Sequence, residues 1–72
     1  MSDCPMDIGQ RLAANMKRLR KEKGWSQEEL ADRAGLHRTY ISGVERCTRN
    51  PTIVAVEKIA AALGVSAGAL LD

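Results

Sequence analysis

The sequence contains no phenylalanine, and its aromatic residues amount to one tryptophan and one tyrosine, 3% of 72 residues. Ligand pockets are lined largely by apolar and aromatic side chains, so a chain this poor in rings is badly equipped to build an enzyme's site. Reactive side chains are equally scarce: one histidine, His37, and two cysteines, Cys4 and Cys47. Neither cysteine belongs to a CxxC pair or to a Cys/His cluster with metal-ligand spacing, so no metal site and no structural disulfide are expected. No oxyanion or metal constellation accompanies His37 and Cys47, and neither catalysis nor a cofactor is expected. His37 reads better as a polar cap or phosphate neighbour than as a ligand. Also lacking are an apolar run long enough to cross a bilayer, a secretory leader and a lipidation signal. The expected setting is the reducing cytoplasm, with no membrane partner. No window shows the period-2 alternation of a strand, and there is no internal repeat.

A chain of this length allows one domain, residues 1–72, with a small core and little area to spare over the cost of ordering it. Helix packing or dimerisation must make up the deficit. With 44% hydrophobic and 28% charged residues the composition is that of a globular protein. A net charge of +2 is a weak argument for nucleic acid. The local distribution says more, because Lys17, Arg18, Arg20, Lys21 and Lys23 form one basic run and Arg33, Arg38, Arg46 and Arg49 a second group. The first run also fits a solvated helix end that complements the dipole, and both readings stand.

The most informative stretch is about 26–46. Ser26-Gln27-Glu28-Glu29 is a capping box flanked by Trp25 and Leu30 as a hydrophobic staple. Gly35 supplies the positive φ that ends a helix cheaply. Leu36 and Ile41 repeat the staple around a second start at His37, giving two short helices joined by a sharp turn. Ile41 and Val44 share the inner face of the second, with Leu30, Ala31 and Ala34 as partners. Its other face carries Arg38, Thr39, Ser42, Gly43 and Arg46, which suits a DNA major groove. Gly43 is either a tolerated mid-helix defect or room for close approach to DNA.

Elsewhere, residues 1–6 carry no periodic signal and read as a flexible leader. Asp7 can cap a helix with the stripe Ile8, Leu12, Met16 and Leu19, ending before Gly24. Residues 47–51 are a loop by composition. Thr52 caps a further helix with Ile53, Val56, Ile59, Ala60 and Leu63 on one side and Gly64 as its stop. Ser66 opens a short last helix, which Gly68 should make the least stable.

SQEELADRAGL, RTYISGVER, RNPT and EKIAAALGVS together resemble the Cro/phage-repressor-like helix-turn-helix proteins, also called the xenobiotic-response-element family, and the likeness runs from Asp7 to Leu71. Within it, HRTYISGVERCTRNPT is most similar to the controller proteins of restriction–modification systems. The resemblance implies an all-α, compact five-helix lambda-repressor-like domain with the helix-turn-helix at helices 2 and 3. It further implies a sequence-specific transcriptional regulator, repressor or autoregulator, that binds a palindromic operator as a homodimer with residues of about 37–46 in the major groove. By matching position, Arg38, Thr39 and Ser42 would reach base edges. Gln27, Tyr40, Arg46, Arg49 and Asn50 would touch the DNA backbone, and Arg20 and Glu45 would form a buried structural ion pair.

A dimer patch is expected from Val54, Val65, Ala69, Leu70 and Leu71, the apolar residues left after each helix has faced the core. A twofold axis there would set the two recognition helices about 34 Å apart, one turn of DNA. Two positions depart from the pattern: His37 holds a cap site usually given to Asp, Ser or Thr, and Cys47 replaces a frequent glycine. The alternative is an antitoxin or protein-interaction module on the same fold. No small-molecule effector is evident.

Overall fold

A computed structural model describes residues 8–72. The leader, Cys4 and Asp7 as the suggested first cap lie outside the described residues. Five helices follow: α1 (Ile8–Glu22), α2 (Gln27–Ala34), α3 (Arg38–Glu45), α4 (Ile53–Leu63) and α5 (Ala67–Leu71). Among the described residues there is no strand, and no helix is long and apolar enough to cross a membrane.

Local chemistry sets most of the boundaries. Ser26 Oγ accepts the Glu29 N–H at 3.0 Å, satisfying one of the orphan donors at the start of α2. Glu29 turns its carboxylate to Arg33 one turn on, so only the serine arm of the expected capping box forms. Gly35 closes α2 in the left-handed region at φ 71°, and Leu36 N–H then reaches Ala31 O at 2.8 Å. Thr52 and Ser66 cap α4 and α5 by accepting from Ala55 and Ala69 at 3.1 and 3.0 Å. His37 makes no side-chain cap bond; burial of Ile41 and Val44 holds α3 in its place.

Met16, Leu30, Ile41, Val44, Ile59 and Leu70 are the largest fully buried side chains. They bring the inner faces of all five helices to one core. Truncating any of the leucines or isoleucines to alanine costs about 2–5 kcal/mol. Two residues assigned to core stripes lie outside it: Ile8 is 52% and Ile53 82% exposed. Each is the first residue of its helix, and both line an open groove at the starts of α1 and α4. Leu70 departs in the other direction. At 0% exposure it is core and not a dimer contact, because α5 lies along α1, where Asn15 Nδ2 donates to Leu70 O at 2.8 Å and Arg11 Nε to Leu71 O at 3.3 Å. Those bonds also satisfy terminal carbonyls of the helix expected to be weakest.

Candidate nucleic-acid interface

The orientation of α3 is set from below by a charged cluster. Arg20 Nε and Nη2 donate to the two carboxylate oxygens of Glu45 at 2.8 and 3.0 Å. The side chains are 10% and 1% exposed. Arg20 Nη1 also donates to Trp25 O at 2.8 Å, and Gln27 Nε2 donates to Glu45 Oε1 at 3.0 Å. A planar guanidinium fork matched to a carboxylate is the strongest geometry such a pair can take. One cluster therefore joins α1, the turn before α2, the first residue of α2 and the last of α3. Gln27, assigned to the DNA backbone from the sequence, has its amide N–H turned inward to this cluster. That role was not legible from spacing, since residues 27 and 45 belong to different helices.

Above the cluster, the outer face of α3 is open. Arg38 and Thr39 are exposed and Ser42 is half-buried, and Arg46, Arg49 and Asn50 are exposed just beyond. Within α3, Arg38, Thr39 and Ser42 share one side because Ile41 and Val44 occupy the other at 0% and 2% exposure. Helical spacing makes the division. The remaining cations are partly committed elsewhere: Arg33 pairs with Glu29 and lies 4.4 Å from the Trp25 ring centroid, Lys23 is 5.3 Å from the same ring, and Arg18 pairs with Glu22 at 3.3 Å. Arg33 stays exposed beside these contacts.

Gly43 does not belong to the open face. It is buried, and a Cβ placed on it would lie 3.2 Å from Arg49 Cβ and 3.5 Å from Thr48 Oγ1. The missing side chain makes room for the chain's own loop. Thr48 donates to Gly43 O from both its N–H, at 2.9 Å, and its hydroxyl, at 3.2 Å. The reversal that permits this is at Cys47, which has φ 62° and is the non-glycine residue in the left-handed region among those described. Its position is the one where glycine is frequent, and the strain of a side chain there is about 1–2 kcal/mol.

Apolar surface gathers at a separate place, where Ile8, Leu12, Pro51, Ile53, Val56 and Leu71 line a groove at the starts of α1 and α4. Val54, 59% exposed, stands on the same first turn of α4. Of the residues assigned to a dimer patch, Val54 and Ala69 are exposed, Val65 and Leu71 half-buried, and Leu70 enclosed. Ile8 and Ile53 were missed because the stripe pattern placed them inward.

The description of the helix-turn-helix family matches residues 16–70. The chain belongs to this family. It is 55% identical over 65 residues to a hypothetical transcription factor of Neisseria meningitidis, covering 90% of this chain and 61% of that protein. The chain thus spans less than two thirds of that relative. It is 47% identical to control protein C.SmaI of Serratia marcescens, covering 94% of this chain and 81% of that one. Among solved structures, the Neisseria factor superposes with a TM-score of 0.90 at 50% identity, over 100% of this chain and 83% of that chain. The restriction–modification controller protein C.AhdI of Aeromonas hydrophila gives 0.82 at 40% identity, over 86% and 94%. The five-helix fold and the likeness to controller proteins read from the sequence both agree with these findings, and the family is one of transcription regulators and not of enzymes.

Proposed function

We propose that this chain is a sequence-specific transcriptional regulator that binds double-stranded DNA as a homodimer in the cytoplasm. The observation that carries the reading is the outward face of α3, where Arg38 and Thr39 are exposed on a helix whose inner residues are locked into the core. Arg38 can bond guanine O6 and N7 bidentately, a contact worth about 1–3 kcal/mol of discrimination. Thr39 offers a methyl to thymine and a hydroxyl to a base or phosphate, and Ser42 offers a second hydroxyl one turn on. Arg46, Arg49 and Asn50 fit the flanking phosphates, with the Tyr40 ring beside Arg49 at 5.3 Å. The N-terminus of α2 at Gln27 presents free N–H groups and the positive end of a dipole to another.

Two copies placed symmetrically through the first turn of α4 would cover Ile53 and Val54, with Val65, Ala69 and Leu71 as further candidates for the contact. That arrangement suits a palindromic operator, because a twofold protein axis calls for two like half-sites. Selection of duplexes from a random pool, followed by anisotropy titration, tests the reading. The expected product is a two-part symmetric site bound about 10³-fold or more tighter than scrambled DNA. Failure to enrich any sequence, at any salt concentration, would refute it.

A further inference from the structure

Arg49 lies outside every helix, yet it does not hang loose on a flexible loop. Its guanidinium carbon is 5.3 Å from the centroid of the Tyr40 ring, within the range in which an aromatic face attracts a cation. The ring is itself fixed, since Tyr40 Oη accepts the Thr52 N–H at 3.2 Å and the residue packs against the core. On the other side, the backbone leading to Arg49 is seated on α3 by the two bonds from Thr48 to Gly43 O. Arg49 Cβ occupies the space left by the missing side chain of Gly43. Four residues, two from α3 and two from the connection to α4, therefore converge to hold one exposed cation at the edge of the presented face.

We propose that Tyr40 is a positioning residue for Arg49, and that the seat made by Gly43, Thr48 and the Tyr40 ring delivers Arg49 in place for a DNA phosphate beside the groove that α3 enters. A free arginine loses side-chain freedom when it pairs with a phosphate. An arginine already confined on a ring loses less, so the seat raises affinity without reading sequence. The inference rests on the DNA-binding reading above and adds to it a division of labour: Arg38 discriminates, while Arg49 anchors through Tyr40.

A double-mutant cycle on the selected operator and on a scrambled duplex of equal length tests this, using Arg49→Ala, Tyr40→Leu, Tyr40→Phe and the Tyr40→Leu/Arg49→Ala pair. Arg49→Ala should weaken both duplexes by the same factor and reduce the log–log salt slope by about 0.9, the loss of one phosphate contact. Tyr40→Leu should weaken binding about two- to fivefold when Arg49 is present and have little effect when it is absent. Tyr40→Phe keeps the ring and should leave Arg49→Ala with its full effect. In the protein without DNA, the Arg49 Hδ protons should be shifted upfield by the ring in NMR spectra, and Tyr40→Leu should abolish the shift. Additive effects of the two substitutions, or unshifted Arg49 protons in the wild type, would overturn the proposal while leaving the DNA-binding reading intact. The proton shift decides the matter even if Tyr40→Leu fails to fold. A wild-type protein that prefers no duplex would instead bring down the reading on which the proposal stands.

Discussion

Replacing Glu45 by glutamine should cost this domain a large part of its stability, and the structure allows the size to be worked out. Glu45 is 1% exposed at its side chain and its two oxygens accept three hydrogen bonds, two from Arg20 and one from Gln27. Glutamine keeps the shape but removes the charge and presents an NH2 where a carboxylate oxygen accepts. The Arg20 guanidinium, 10% exposed, would stay buried with Trp25 O as its remaining strong acceptor. Leaving one partner of such a pair uncompensated costs about 3–5 kcal/mol, against a total of roughly 4–11 kcal/mol expected for 72 residues at typical per-residue stability. Urea unfolding followed by circular dichroism at 222 nm should therefore move the midpoint sharply downward with little change in slope. The double replacement Arg20→Met with Glu45→Leu removes both charges together and should recover most of the loss, because an apolar pair of similar volume needs no solvation. A loss below about 1 kcal/mol for Glu45→Gln, or a double variant no better than the single, would show that the cluster does not hold α3 in place.

Other substitutions test other parts. Ser26→Ala removes the acceptor for Glu29 N–H and should lower stability by about 1 kcal/mol in the same unfolding assay. Gly43→Ala, ordinarily worth about 1 kcal/mol in favour of a helix, should give no such gain because the added methyl meets Arg49 Cβ at 3.2 Å; it should also weaken DNA binding in anisotropy titrations. Ile53→Asp, at a position 82% exposed, should leave the monomer's melting almost unchanged and shift sedimentation from dimer toward monomer. A dimer unaffected by that change would place the interface elsewhere.

How far the sequence could be read depended on the range of the interaction concerned. Ser26, Thr52 and Ser66 cap donors three residues on, and Gly35 and Gly64 close helices by their own backbone angles. Such signals need only neighbours, so the order and approximate limits of the helices were legible. The face of α3 followed from helical period, because burying Ile41 and Val44 leaves few other orientations for Arg38 and Thr39. Contacts between distant segments were another matter. The seating of residues 48 and 49 on Gly43, the hydrogen bond from Gln27 to Glu45 and the enclosure of Leu70 by α1 depend on how elements approach in space. A stripe of apolar residues shows which side of a helix turns inward, but it does not show which of its residues a neighbour covers. That is why Ile8 and Ile53 were counted as core and Leu70 as surface. The pairing of Arg20 with Glu45 lay between these cases, suggested by resemblance and by no local pattern.

The specificity ratio of Arg38→Ala tests the central claim most directly, with affinity for the selected operator and for scrambled duplex measured side by side at one fixed salt concentration. If the outward face of α3 reads base edges, the ratio should fall about 5- to 150-fold, the equivalent of 1–3 kcal/mol, through weaker binding to the operator with little more lost on scrambled DNA than one charge explains. An unchanged ratio, with both affinities reduced equally, would mean that Arg38 contributes charge alone and that α3 is not the reading helix.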